Sequence, residues 1–329
     1  MAFVIAMAVT WISTPPVAAL AKRFGAIAIP RDRDVHDSPT PRWGGIAIIS
    51  GVFLSIVVTV SYRHWITHGE NGWNRHLLGI LLAGLFIGLV GMLDDVKDLK
   101  PRYQILALII ASGILYYFGV RIDGVSNPLV SHKLGTYTPT DWIQLSVPVS
   151  IFATIFWVGL VTKTVDAIDG LDGLAAGVCA ISAGTLALLA AASRQAEGPT
   201  LALLAAAVVG ACVGFLRHNF NPAKIFMSTV GAQFLGIMLA SLSMLGTFKV
   251  AAAISVVVPL LVLGVPIFDY AVVLGKRIAS QAPLTKADRR HLHHRLIDRG
   301  LSKQQAVLVI YACTAVCCAI AVLFFKFVR

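Results

Sequence analysis

The sequence predicts an all-α, polytopic membrane protein, one domain over residues 1–329, with ten transmembrane helices. Three observations lead there. The chain is 57% hydrophobic and only 13% charged, against about 25% charged in a soluble domain, and its mean hydropathy is +0.80. Ten apolar runs recur, at 3–20, 44–60, 77–93, 103–119, 146–162, 174–192, 199–216, 230–246, 251–274 and 304–325, close to the length a spanning helix needs. Finally, none of these runs alternates in polarity as a barrel strand would. Backbone groups in lipid must be satisfied within the segment, so the runs are expected to be helices.

The first run, "FVIAMAVT…", has no basic segment before it and no secreted domain after it, so it reads as a retained span and not a cleaved leader. Run two opens on Gly44–Gly45, which permits close backbone approach. The third run ends directly on Asp94–Asp95, and the fifth on "KTVDAIDGLDG" at 163–173. The tenth starts at a capping box formed by Ser302 and Gln305. Cys179, Cys212, Cys313, Cys317 and Cys318 all fall inside runs without metal-like spacing, and read as small packing residues.

Charge orients the helices. Segments 21–43, 94–102, 163–173, 217–224 and 275–303 alternate with the runs on one face and hold 19 of the 27 Lys and Arg residues. The positive-inside rule puts that face in the cytoplasm and both termini outside. Twelve of the 16 acids lie on the same side. That rule does not call for acids, so their gathering points to a cation and an anionic ligand held by loops that meet. A transporter would instead place ionisable groups near the midplane.

The loops carry the chemistry. In "IPRDRDVHDSPTPRWGG", His36 and Arg42 are candidate phosphate contacts. In "GMLDDVKDLKPR", the adjacent carboxylates Asp94 and Asp95 at a membrane boundary call for water or a cation. An oxygen-only site suits Mg²⁺, which takes one or two carboxylates plus phosphate oxygens. If the fifth helix continues through 163–173, Asp166, Asp169 and Asp172 share one face. In "RHNFNPAK", Asn219, Asn221 and Lys224 form a polar turn. The last loop, "LTKADRRHLHHRLIDRG", is the most basic. Thr285 and Asp288 form a capping box, Gly300 ends the helix, and His291, His294 and Arg295 share a face. The three arginines around HLHH disfavour zinc and favour a phosphoryl group.

Taken together, "HDSPTPRWGG", "GMLDDVKDL", "DAIDGLDGLAAG", "NFNPAKIFM…GAQFLG", "PIFD" at 266–269 and "HLHHRL" resemble the polyprenyl-phosphate N-acetylhexosamine-1-phosphate transferases over nearly the whole chain. The last motif looks more like the UDP-N-acetylglucosamine branch than the muramoyl-pentapeptide branch. The resemblance implies a bacterial plasma-membrane enzyme of envelope polysaccharide synthesis. It would move N-acetylhexosamine-1-phosphate from a UDP-amino sugar to undecaprenyl or another polyprenyl phosphate at the cytoplasmic face, releasing UMP. It implies Mg²⁺, or Mn²⁺ in its place, a homodimer, and no nucleic acid partner. It further implies Asp94, Asp95, Asp169 and Asp172 as catalytic residues. His36, Arg42, Lys163, Asn219, Arg277, His291, His293, His294 and Arg295 would contact substrate and phosphate.

The sequence departs from this family in two loops and at one position after the DD pair. The family's F-M-G-D-x-G-S reads Phe226-Met227-Ser228-Thr229-Val230-Gly231-Ala232, so the metal-binding Asp is replaced by Thr229. Lys163 and Asp166 stand where the family has Asn, and Gln104 where it commonly has a basic residue. One carboxylate is lost at 229 and one gained at 166, so the metal is expected on Asp94, Asp166 and Asp169. The alternative is a catalytically silent homologue that binds without turnover.

Overall fold

The computed structural model describes residues 1–30, 39–66, 73–126, 142–193, 197–246, 252–281 and 291–328. His36 and the Thr285/Asp288 capping box lie outside them. The protein is an all-α, polytopic membrane protein. Its helices are α1 (Ala2–Arg23), α2 (Gly44–Ile66), α3 (Arg75–Lys97), α4 (Pro101–Tyr117), α5 (Val147–Ile168), α6 (Leu174–Ser193), α7 (Gly198–Asn219), α8 (Ser228–Gly246), α9 (Ala252–Val262), α10 (Gly264–Ala279), α11 (Leu292–Asp298) and α12 (Lys303–Val328). Two short antiparallel pairs, which the sequence does not announce, join β1 (Ile27–Ala28) to β2 (Thr40–Pro41) and β3 (Gly124–Ser126) to β4 (Trp142–Gln144).

All ten apolar runs are helical where described, and among the described residues eight helices are long and apolar enough to span a bilayer: α1, α2, α3, α5, α6, α7, α8 and α12. The fourth run forms α4, only 17 residues long, with Pro101 in its first turn. The ninth run is not one helix. It breaks at Leu263 into α9 and α10. Pro266 has no N–H to give the Val262 carbonyl four residues back. Ser182 on α6 supplies the missing donor, its hydroxyl lying 2.9 Å from that oxygen. A side chain from a neighbouring helix thus satisfies the broken backbone, as an apolar solvent requires.

Helix α8 is the centre of the bundle. Within its most apolar stretch 94% of residues are buried, and it packs on α2, α3, α5, α6 and α7. Small residues allow this. A Cβ on Gly236 would sit 2.5 Å from Thr162 Cα on α5, so the two backbones touch, the packing mode that drives helix association in lipid. The capping box at the head of α12 forms as expected: Ser302 N–H donates to Gln305 Oε1 at 2.9 Å, and Gln305 N–H donates to Ser302 Oγ at 3.2 Å.

Replacing Ser182 with Ala removes the hydroxyl donor to the Val262 carbonyl and leaves it only the weak Cys318 thiol, Sγ to O 3.9 Å, in an apolar surround. We expect a loss of about 1–3 kcal/mol, read as a lower melting midpoint in detergent with the helix content unchanged.

Candidate active site

Four of the five motif loops are joined by backbone and side-chain hydrogen bonds. Residues 41–45 run beside 226–227: Phe226 N–H donates to Pro41 O at 2.9 Å, Gly44 N–H to Phe226 O at 2.9 Å and Gly45 N–H to Met227 O at 3.1 Å. Trp43, between them, adopts φ 74, a conformation a bulky residue rarely takes. This zipper fixes where α8 begins.

The first turn of α8 has N–H groups without helical partners, and carboxylates from two other loops come to it. Asp95, in the last turn of α3, accepts from Ser228 Oγ at 2.7 Å, and Asp169, the residue that ends α5, accepts from Ser228 N–H at 3.0 Å. Ser228 itself has φ 62. The second oxygen of Asp95 is buried without a hydrogen-bond partner. Arg42 approaches the Asp95 backbone carbonyl, Nη1 to O 3.4 Å. Burial, then the Asp166 charge, then those of Asp95 and Asp172, push Asp169 up to about 8, against the Ser228 N–H that lowers it.

The other acids are held apart from this pair. Asp94 accepts from Leu99 N–H at 3.1 Å and Gln104 Nε2 at 2.9 Å. Lys163 lies 3.2 Å from Asp166 Oδ2. Helix α5 stops at Ile168, so Asp166, Asp169 and Asp172 do not share one helical face. Asp172 instead accepts from Asn221 Nδ2 at 2.9 Å and Ala223 N–H at 3.0 Å. Asn219 accepts from Gly173 N–H at 3.0 Å and donates to Ile225 O at 2.9 Å. Both side chains tie the third loop to the fourth. These bonds give Asp172 and Asn219 a part in positioning the two loops.

The fifth loop arrives through Asp269 on α10. Its carboxylate accepts from Leu292 N–H at 2.6 Å and lies 2.8 Å from His291 Nδ1, capping α11 from another helix. That sets the rotation of α11 and turns His293 inward. His293 is buried, and its Nε2 lies 2.5 Å from where a Gly170 Cβ would stand. Its ring packs between His291, at 5.8 Å, and His294, at 4.3 Å. Burial, then His294 and His291, lower its pKa to about 3, with Asp269 opposing. His293 is therefore a neutral imidazole at pH 7. The histidine that meets the acid loop is His293, whereas the shared face expected from spacing was that of His291, His294 and Arg295. Arg295 is exposed, His294 half-buried, and Arg277 sits in the last turn of α10, two turns beyond Asp269.

Among the described residues, no group of three or more acid, His or Cys side chains stands ready to hold a metal. The expected trio Asp94, Asp166 and Asp169 is not assembled, because Gln104 holds the first and Lys163 the second. What fits a small hard cation is the Asp95–Asp169 pair, bridged by Ser228 and carrying a buried, unpaired carboxylate oxygen. Two carboxylates, with phosphate and water completing six oxygens, are an ordinary Mg²⁺ environment.

With this geometry in hand, comparison with known proteins is decisive. Residues 77–247 match the model of glycosyl transferase family 4. The chain is 34% identical over 310 residues to the probable undecaprenyl-phosphate N-acetylglucosaminyl 1-phosphate transferase of Bacillus subtilis, covering 94% of this chain and 80% of that one. The chain belongs to glycosyl transferase family 4. It is also 34% identical, over 92% of its length and 78% of the relative's, to the decaprenyl-phosphate N-acetylglucosaminephosphotransferase of Mycobacterium leprae. A phospho-N-acetylmuramoyl-pentapeptide-transferase of Mycobacterium sp. is more distant, at 29% over 87% of this chain and 84% of its own.

Within family 4 terms, sequence reasoning missed Ser228 and left Asp269 unassigned. The signal for Ser228 was its place in the F-M-G-D pattern, where a glycine position is filled by a hydroxyl. Asp269 was visible only as part of the PIFD motif.

The raised Asp169 yields a pH prediction. Its folded pKa, about 8, exceeds its ordinary value of 3.8, so the cation-free folded chain retains a proton that the unfolded chain has lost. Stability should therefore fall as pH rises from 4 to 8. A divalent cation must displace that proton, so its apparent affinity should rise with pH towards 8. Calorimetric Mg²⁺ titration at pH 7 in two buffers of different ionisation enthalpy should show proton release, and Asp169→Asn should abolish it.

Proposed function

We propose that this family 4 chain transfers N-acetylglucosamine-1-phosphate from UDP-N-acetylglucosamine to undecaprenyl or a related polyprenyl phosphate. The products are the polyprenyl diphosphosugar and UMP. The reaction would open an envelope polysaccharide pathway at the cytoplasmic face of a bacterial plasma membrane, with both termini outside. The observation that carries this reading is the Ser228 bridge between Asp95 and Asp169, beside the His293–Gly170 contact. It concentrates acid, amide and imidazole where a diphosphate and its cation would meet. The N-acetylglucosamine-1-phosphate transferases among the relatives support the choice of sugar and carrier.

The mechanism follows from charge. An oxygen of the carrier phosphate attacks the β-phosphorus of the donor. The bond from that phosphorus to the bridging oxygen breaks, and its electrons leave with UMP. A phosphate monoester has a second pKa of about 6, so the attacker is already largely ionised at pH 7 and no strong base is needed. Catalysis is then positioning and charge neutralisation. Mg²⁺, or Mn²⁺, held by Asp95 and Asp169, would supply the neutralising charge. Arg42 and Lys163 add fixed positive charge from the first and third loops. Neutral His293 can donate one hydrogen bond to a phosphoryl oxygen without claiming a proton. Asp172 and Asn219 keep the third and fourth loops in register.

One observation favours a second reading. Thr229 cannot supply a carboxylate where the family has Asp, so the chain could bind donor or lipid without turnover.

The two separate in one assay. Purified protein with undecaprenyl phosphate, UDP-N-acetylglucosamine and Mg²⁺ should release UMP in a lipid-dependent manner. Asp95→Asn and Asp169→Asn should each lower the rate about 100-fold or more. A folded parent silent with every UDP-amino sugar tried would favour the binding homologue.

A further inference from the structure

Lys163 and Gln104 come from different elements and meet head to head. Lys163, in the last turns of α5, donates to Gln104 Oε1 at 2.7 Å; Gln104, in the first turn of α4, donates from Nε2 to Asp94 Oδ1 at 2.9 Å. The same ammonium lies 3.2 Å from Asp166 Oδ2. A continuous line, Asp94–Gln104–Lys163–Asp166, therefore joins the second motif loop to the third.

The chemistry of this line is directional. An amide has a donor end and an acceptor end, and an ammonium can only donate. With Oε1 held by Lys163, only Nε2 can face Asp94. Lys163 thus fixes which end of Gln104 the carboxylate sees, and its charge reaches Asp94 through the amide. Two of the three ammonium N–H groups are used by Gln104 and Asp166, leaving a third for a phosphoryl oxygen.

Because the two side chains touch, placing an ammonium at 104 and an amide at 163 would keep the same two kinds of group between Asp94 and Asp166, in swapped seats. The carboxylate at 166 faces the Lys163 cation, which lowers the cost of an acid beside Asp169.

We propose that residues 104 and 163 form one exchangeable ammonium–amide unit, with Lys163 acting as a positioning residue for Asp94 through Gln104. Its turnover readout rests on the transferase reading; its stability readout does not. The test is a double-mutant cycle with Lys163→Asn, Gln104→Lys and the double exchange, measured as melting midpoint in detergent and as UMP release. Lys163→Asn leaves Asp166 without its cation, and Gln104→Lys sets two ammonium groups against each other.

Each single change should lower the midpoint by about 2–4 °C and slow UMP release about tenfold or more, in kcat more than in donor KM. The double exchange should return the midpoint to the parent value and turnover to within about threefold. A double variant whose two losses simply add would overturn the unit. Recovery of the midpoint without recovery of turnover would overturn the positioning role. A parent that releases no UMP removes the transferase reading, and the midpoint cycle alone then decides whether the pair is exchangeable.

Discussion

Ser228 is the residue on which the site depends. A helix begins with N–H groups that have no partner within it, and their dipoles favour negative charge. Here Ser228 turns that deficit into a junction. Its backbone N–H holds Asp169 and its hydroxyl holds Asp95, acids that enter from helices remote in sequence. The junction is stiff because α8 is enclosed by five other helices and its start is zipped to residues 41–45. The left-handed backbone of Ser228 is an uncommon state for a residue with a side chain, and its bonds to both carboxylates offset that strain.

Around this junction, polar residues divide into two kinds. Asp172, Asn219 and Asp269 each engage at least one backbone group, the two carboxylates as acceptors, and fix loops or a helix start. Asp95, Asp169, Lys163 and His293 keep capacity facing the convergence point. The split explains how a site with only loop segments can be well ordered: the tying residues are buried or half-buried and doubly engaged. It also explains the neutral state of His293. A charged imidazole between two other histidines in a dry setting would be repelled, so the ring packs against Gly170 in its neutral form.

The loss of the family carboxylate at 229 changes the balance of the centre. Asp166 does not replace it directly, because Lys163 neutralises Asp166 within the same helix. On the proposed reading, a cation would be held by Asp95 and Asp169. A hydroxyl at 228 and another at 229 keep the surroundings polar without adding charge.

The sequence by itself determined the helices and the ends that carry charge. Apolar segments have few options in lipid, so length and composition sufficed for α1 to α8 and α12, and a local capping box sufficed for the start of α12. The same local logic identified Asp94, Asp95 and Asp169 as acids at helix ends. Tertiary structure alone decided which partners those acids take. Asp95 and Asp169 meet at Ser228 because α3, α5 and α8 pack side by side, a relation no spacing within one segment encodes. The break at Leu263 is survivable because Ser182 stands opposite Val262, and His293 faces inward because Asp269 caps α11 from another helix. Local chemistry sets what each side chain can do; the packing of distant helices sets which of those capacities is left over for the substrate.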